Sequence, residues 1–91
     1  MSNLRFDLQH LRAFRAVATA GNFTSAAAEL GYAQSTVTYQ IKTLERSLGA
    51  SLLERHRFSK TTVLTDAGRR VLGYADRLLA LAEETTASVR P

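Results

Sequence analysis

Gln34, Ser35, Thr38, Tyr39 and Lys42 are hydrogen-bonding side chains interleaved with Val37, Ile41 and Leu44, which recur at helical spacing. With the apolar three facing inward, the polar five share the outer face near the start of a helix, with one cation and no carboxylate. Such a face has the chemistry of a reader of base edges. A glutamine amide can pair with N7 and N6 of adenine, serine and threonine hydroxyls can bond bases or phosphates, and a helix N-terminus draws phosphate through its dipole and free amides. The plainer reading is a solvated helix face, and composition alone favours it. The spacing before this segment, the missing acids and the charge that follows favour the first reading.

The elements that must hold this face lie within residues 22–49. Phe23, Ala26, Ala27 and Leu30 form one apolar stripe, Gly31 sits where a left-handed cap is needed, and only Gly31, Tyr32 and Ala33 separate the two segments. This is helix-turn-helix spacing. Tyr32 is expected to cover the core between the two helices. Asn22 is a good N-cap for the first of them, and Thr24 in its first turn could donate to a phosphate, although a threonine there is more commonly a helix-start residue. Ahead of the pair, Leu8, Leu11, Phe14, Val17 and Ala18 place a stripe on a helix that begins near Asp7, its expected N-cap, and closes at Gly21. The longer helix continues through Leu48 on the same stripe and ends at Gly49.

Two short β-prone stretches, 51–55 and 61–65, flank the sequence RHRFSK and predict a hairpin with a basic tip, a wing. Arg55, Arg57 and Lys60 could neutralise phosphates or enter a minor groove, and Phe58 could brace the loop or pack against sugar; a merely solvated basic loop is the alternative. Thr65 and Asp66 then open a further helix running to about Ala87. Its apolar residues form two adjacent rows, Leu72, Ala75, Leu79, Ala82 and Val71, Tyr74, Leu78, Leu81, together broader than one small domain requires. One row can cover the domain's own core while the other meets a second copy, so a symmetric homodimer is expected, with Leu72, Ala75, Leu78, Leu79 and Ala82 as candidate contacts.

Ninety-one residues with 45% hydrophobic content allow one domain with a modest core. There is no cysteine, so neither a disulfide framework nor a thiolate metal site exists, and a reducing cytoplasm is the expected setting. The N-terminal residues carry Arg5 and Asp7 and precede no long apolar run, which argues against a signal or a membrane span. Net charge is +4, and residues 1–75 carry ten Lys or Arg against five Asp or Glu, while 76–91 carry two against three. The positive field belongs to the compact part and suits a polyanion. His10 and His56 stand in unrelated contexts, no HExxH, GxGxxG or GxxxxGK pattern occurs, and nothing nominates a nucleophile. Neither an enzyme nor a cofactor or metal is expected.

In order along the chain, GNFTSAAAEL, QSTVTYQIKTLE, LG, LLER and LTDAG resemble the N-terminal DNA-binding domain of LysR-type transcriptional regulators of bacteria; together they are highly specific and span about residues 8–82. The resemblance implies a mainly α fold: a winged helix-turn-helix of three helices and a two-stranded wing over 6–65, with the helix-turn-helix at about 23–42, then a linker helix over 66–91 that dimerises the domains. It implies double-stranded DNA as partner, an interrupted inverted repeat with half-sites about one helical turn apart, and a possible tetramer for a full-length member. A small-molecule effector would act only through a C-terminal domain absent from these residues. The family's base and backbone contacts fall on Gln34, Ser35, Thr38 and Tyr39, and on Arg55 and its neighbours in the wing. Ala33 stands where the family often has a capping Ser or Thr, Tyr39 where Arg or His is common, and Thr62 and Val63 shift the apolar pattern of the second wing strand. Two rivals remain: a winged helix used for protein contacts, and an RNA binder, against which stands the lack of an aromatic cluster for stacking on unpaired bases.

Overall fold

Three of the four helices begin at a side chain that accepts a backbone amide. In the computed structural model, which describes residues 5–54 and 61–91, α1 (Leu8–Ala20) starts at Asp7, whose carboxylate accepts from the His10 amide at 3.0 Å. The His10 Nδ1 accepts from the Asp7 amide in return, at 3.3 Å, which completes a capping box. Asn22 opens α2 (Phe23–Leu30) by accepting from the Ser25 amide at 2.7 Å, and Thr65 opens α4 (Asp66–Ser88) by accepting from Gly68 at 2.9 Å. α3 (Gln34–Leu48) begins at Ala33 with no side-chain cap. Its far end, like that of α2, closes in a Schellman turn: Gly49 and Ala50 donate to Arg46 and Glu45, as Gly31 and Tyr32 donate to Ala28 and Ala27. At Gly31 and Gly49 φ is +74° and +67°, a conformation in which a β-carbon is strained.

α1 is the central helix, packed against α2, α3 and α4. Its Leu11, Ala13, Phe14 and Val17 meet Ala26 and Ala27 of α2 and Val37, Ile41 and Leu44 of α3 in one core, which Leu52, Leu53, Ala75 and Leu79 complete. Burying side chains of this size removes about 1.5–3 kcal/mol of apolar exposure each for the branched and aromatic ones. Three sequence expectations at the ends of these stripes are corrected. Leu8 and Leu48, at helix termini, are 41% and 38% exposed, and Tyr32 is 41% exposed rather than covering the core. Tyr32 serves the turn through its backbone amide, which donates to the Ala27 carbonyl at 3.0 Å.

After α3, β1 (Leu53–Glu54) and β2 (Val63–Leu64) pair antiparallel, Leu53 opposite Leu64 and Glu54 opposite Val63. Each is two residues long, shorter than the five-residue stretches the sequence suggested. The base of this wing is anchored on three sides. The Glu45 carboxylate accepts from the Leu52 amide at 2.8 Å, Thr65 donates to the Ser51 carbonyl through its hydroxyl at 2.6 Å and to the Leu52 carbonyl through its amide at 3.0 Å, and Thr62 donates to the Gly21 carbonyl at 2.8 Å. Gly68 lies against the same backbone, where an added β-carbon would stand 2.1 Å from the Leu52 oxygen. A side chain there is sterically excluded.

α4 extends about 35 Å at 1.5 Å per residue. Ala75 and Leu79 on it are fully buried in the chain's own core, with Leu72 packed against that core and Ala82 half-buried. The assignment of Ala75 and Leu79 to a contact with a second copy is therefore corrected: they have no surface left to offer. The neighbouring row stays open, with Tyr74, Leu78 and Leu81 60%, 44% and 59% exposed. Among the described residues no helix is long and apolar enough to cross a membrane.

Candidate nucleic-acid interface

The face opposite the buried stripe of α3 is built by that stripe. With Val37, Ile41 and Leu44 at zero exposure, the 3.6-residue period turns Ser35, Tyr39 and Lys42 outward; Gln34 and Thr36 are exposed as well, in the first turn, and Thr38 is half-buried at the margin. Tyr39 is 65% exposed. The first turn holds no acid, and the lone carboxylate of the helix, Glu45, is turned toward the Leu52 amide. Positive and neutral donors thus occupy the leading end without a competing charge.

The uncapped start of α3 adds backbone donors to these side chains. The Thr36 and Val37 amides bond to the Ala33 carbonyl at 3.0 and 3.3 Å, and no acceptor engages the amides of Gln34 and Ser35 among the described residues. Two N–H groups at the positive end of a helix dipole are thus left to bond a ligand or water. α2 contributes Thr24, whose hydroxyl donates to the Gln34 Oε1 across the turn at 3.2 Å, both side chains being exposed. The turn thus brings the front of one helix to the first residue of the other.

Two exposed residues on this side were not singled out from sequence. Thr36 is exposed in the first turn, and Arg46 follows Lys42 at a spacing of four, the repeat of a helix face; Lys42 and Arg46 line a shallow depression with Glu45, Gly49, Ala50 and Ser51. Arg55, Arg57, Phe58 and Lys60, the expected wing-tip contacts, lie outside the described residues. The strands beside them place the base of the wing after α3, but no geometry is given to those side chains. Among the described residues no group of three or more His, Asp or Glu could hold a metal ion.

Three helices around one core, the second and third joined by a three-residue turn, then an antiparallel two-stranded wing and a long following helix, define a winged helix-turn-helix. Comparison with known proteins narrows this. Residues 8–69 match the family described as bacterial regulatory helix-turn-helix protein, lysR family, and the chain belongs to that family. It is 44% identical over 85 residues to a probable RuBisCO transcriptional regulator of Porphyra purpurea, covering 93% of this chain and 26% of that protein. The chain therefore spans about a quarter of the length of the curated relatives it matches. Among solved structures, it superposes on the DNA-binding domain of BenM in complex with benA site 1 DNA with TM-score 0.85 and 37% identity, covering 91% of each chain. The CbnR DNA-binding domain in complex with DNA matches at TM-score 0.82 and 38% identity, over 93% of this chain and all of that one. The family and its relatives are transcriptional regulators rather than enzymes.

Proposed function

We propose that this chain binds double-stranded DNA in a sequence-specific manner as a homodimer and thereby regulates transcription. The observation that carries the reading is the leading face of α3: Gln34, Ser35, Thr36, Tyr39 and Lys42 exposed, no acid in the first turn, and two backbone amides free at its tip. Hydroxyls, an amide, a phenol and an ammonium beside a positive helix end are donors and acceptors suited to a major groove, with phosphates on either side. Residues 6–65 form the DNA-binding unit in this reading, and 66–91 the linker. Two structural neighbours are, by their descriptions, such domains bound to DNA, which supports it further.

The dimer rests on the exposed row Tyr74, Leu78 and Leu81, which forms a shallow groove with Arg77, Ala80 and Glu84. A row of this kind along a helix pairs with its own copy about a two-fold axis, and two recognition helices so related address an inverted repeat on one face of the duplex. Arg55, Arg57 and Lys60 would supply cations to the flanking backbone. Effector sensing belongs to a further domain outside these 91 residues. Binding of the chain to a mixed-sequence duplex, measured across a salt series, tests the proposal: log affinity should fall linearly with log salt, with a slope that counts several phosphates. Absence of salt-dependent duplex binding would favour the rival reading, a winged helix used for protein contacts.

A further inference from the structure

We propose that Thr24 is a positioning residue for Gln34, orienting its amide before it meets a base edge. The inference rests on the DNA-binding reading and deepens it. A glutamine amide reads a base through the direction of its Oε1 and Nε2 groups, which lie in one plane. In this chain the Thr24 hydroxyl donates to Oε1 at 3.2 Å, which ties the carbonyl to α2 through one lone pair, while the second lone pair and the Nε2 hydrogens can serve a base.

Among the described residues no other side chain hydrogen-bonds Gln34. The residue before it is Ala33, which has no side-chain acceptor, and Gln34 is the first residue of the helix and exposed. A glutamine in that position loses rotamer freedom when it binds a base, a cost that a hydrogen bond made beforehand reduces. Thr24 can make that bond because Asn22 starts α2 two residues earlier and the three-residue turn brings its front alongside α3. Threonine also has a preferred χ1, so its hydroxyl direction is restricted.

The test is selection of bound duplexes from a random pool by the 91-residue chain and by Thr24→Val, Thr24→Ser and Gln34→Ala. Expected is one position per half-site whose base preference is lost with Gln34→Ala, blurred roughly three- to tenfold with Thr24→Val, the span of one ordinary hydrogen bond, and retained with Thr24→Ser. In the Gln34→Ala background, Thr24→Val should change the selected sequence no further. A Thr24→Val effect on base preference that persists undiminished in the Gln34→Ala background overturns the coupling of the two residues. An unchanged selected sequence with Thr24→Val, with affinity lowered equally on all duplexes, makes Thr24 a phosphate contact and overturns its positioning role while leaving DNA binding intact. Failure of the unmodified chain to enrich any duplex overturns the functional reading itself. Thermal melting of each variant separates these outcomes from unfolding.

Discussion

Replacing Ala33 with serine supplies the acceptor that α3 lacks. The backbone is already disposed for it: Ala33 has φ −66° and ψ 148°, close to the −76° and 173° of Thr65, which caps α4 by accepting from the amide three residues on at 2.9 Å. The corresponding amide here is Thr36, now bonded to the Ala33 carbonyl alone at 3.0 Å. Gaining a cap in place of alanine contributes about 0.5–2 kcal/mol in general. Position 33 is exposed and the Thr36 amide is already partly satisfied, so the lower half of that range, about 0.5–1 kcal/mol, is expected. For a domain of this size that raises the melting temperature by roughly 2–8 °C. The assay is thermal unfolding followed by circular dichroism at matched protein concentration, since a dimer's melting point depends on concentration. Ala33→Val, which has bulk but no acceptor, serves as the control. A serine variant that melts no higher than the parent, or a valine variant that gains as much, refutes the view that the start of α3 is under-capped.

The other expectations concern the two rows of α4, the wing base and the leading face. Leu78→Glu should shift the protein toward monomer in analytical ultracentrifugation while leaving its helical content in place, because Leu78 is 44% exposed and a carboxylate there meets its own copy. Leu79→Ala, one residue on but fully buried, should instead destabilise the fold by about 2–5 kcal/mol in urea unfolding; equal effects of the two substitutions on the fold would contradict the division of rows. Gly68→Ala should cost about 1–3 kcal/mol or more of stability by overpacking, since its β-carbon meets the Leu52 carbonyl. Gln34→Ala should weaken binding to a selected duplex by about 1–3 kcal/mol and relax base choice, whereas Arg55→Ala should weaken all duplexes together and flatten the salt dependence. Anisotropy titrations on matched and scrambled duplexes distinguish those last two.

Much of this fold was legible because its boundaries are made of local chemistry. Asp7, Asn22 and Thr65 cap helices as their residue types require, and Gly21, Gly31 and Gly49 end them in the left-handed conformation. The strands were overextended, because a β-prone run reports half-buried surface and not how many residues find a ladder partner. Tyr32 was misplaced for a related reason: an aromatic beside a turn is expected to be covered, but whether it is covered depends on the packing of the helices around it. The two rows of α4 were recognised as two, yet Ala75 and Leu79 were assigned to the wrong partner, since periodicity shows that a stripe is broad and not which half faces α1. Of the candidate interface, the outward turn of Ser35, Tyr39 and Lys42 followed from the burial of Val37, Ile41 and Leu44, and the exposure of Gln34 from its place as the first residue of the helix. The Thr24–Gln34 hydrogen bond did not, because it joins residues ten apart across a turn whose angle only the packed core sets.

That dependence on packing also bears on specificity. Tyr39 is 65% exposed, and it offers a phenol that both donates and accepts. A phenol gains little from counterion release, so its contribution should persist at high salt where that of Lys42 fades. In the proposed interface Lys42 and the wing cations would form a salt-sensitive part, and Gln34, Ser35 and Tyr39 a salt-resistant one. Raising the salt concentration should therefore lower affinity for all duplexes while the ratio between matched and scrambled duplexes holds or rises. A Tyr39→Arg variant should bind both more tightly at low salt and discriminate less between them, and equal salt slopes for the variant and the parent would show that the phenol stands clear of the DNA.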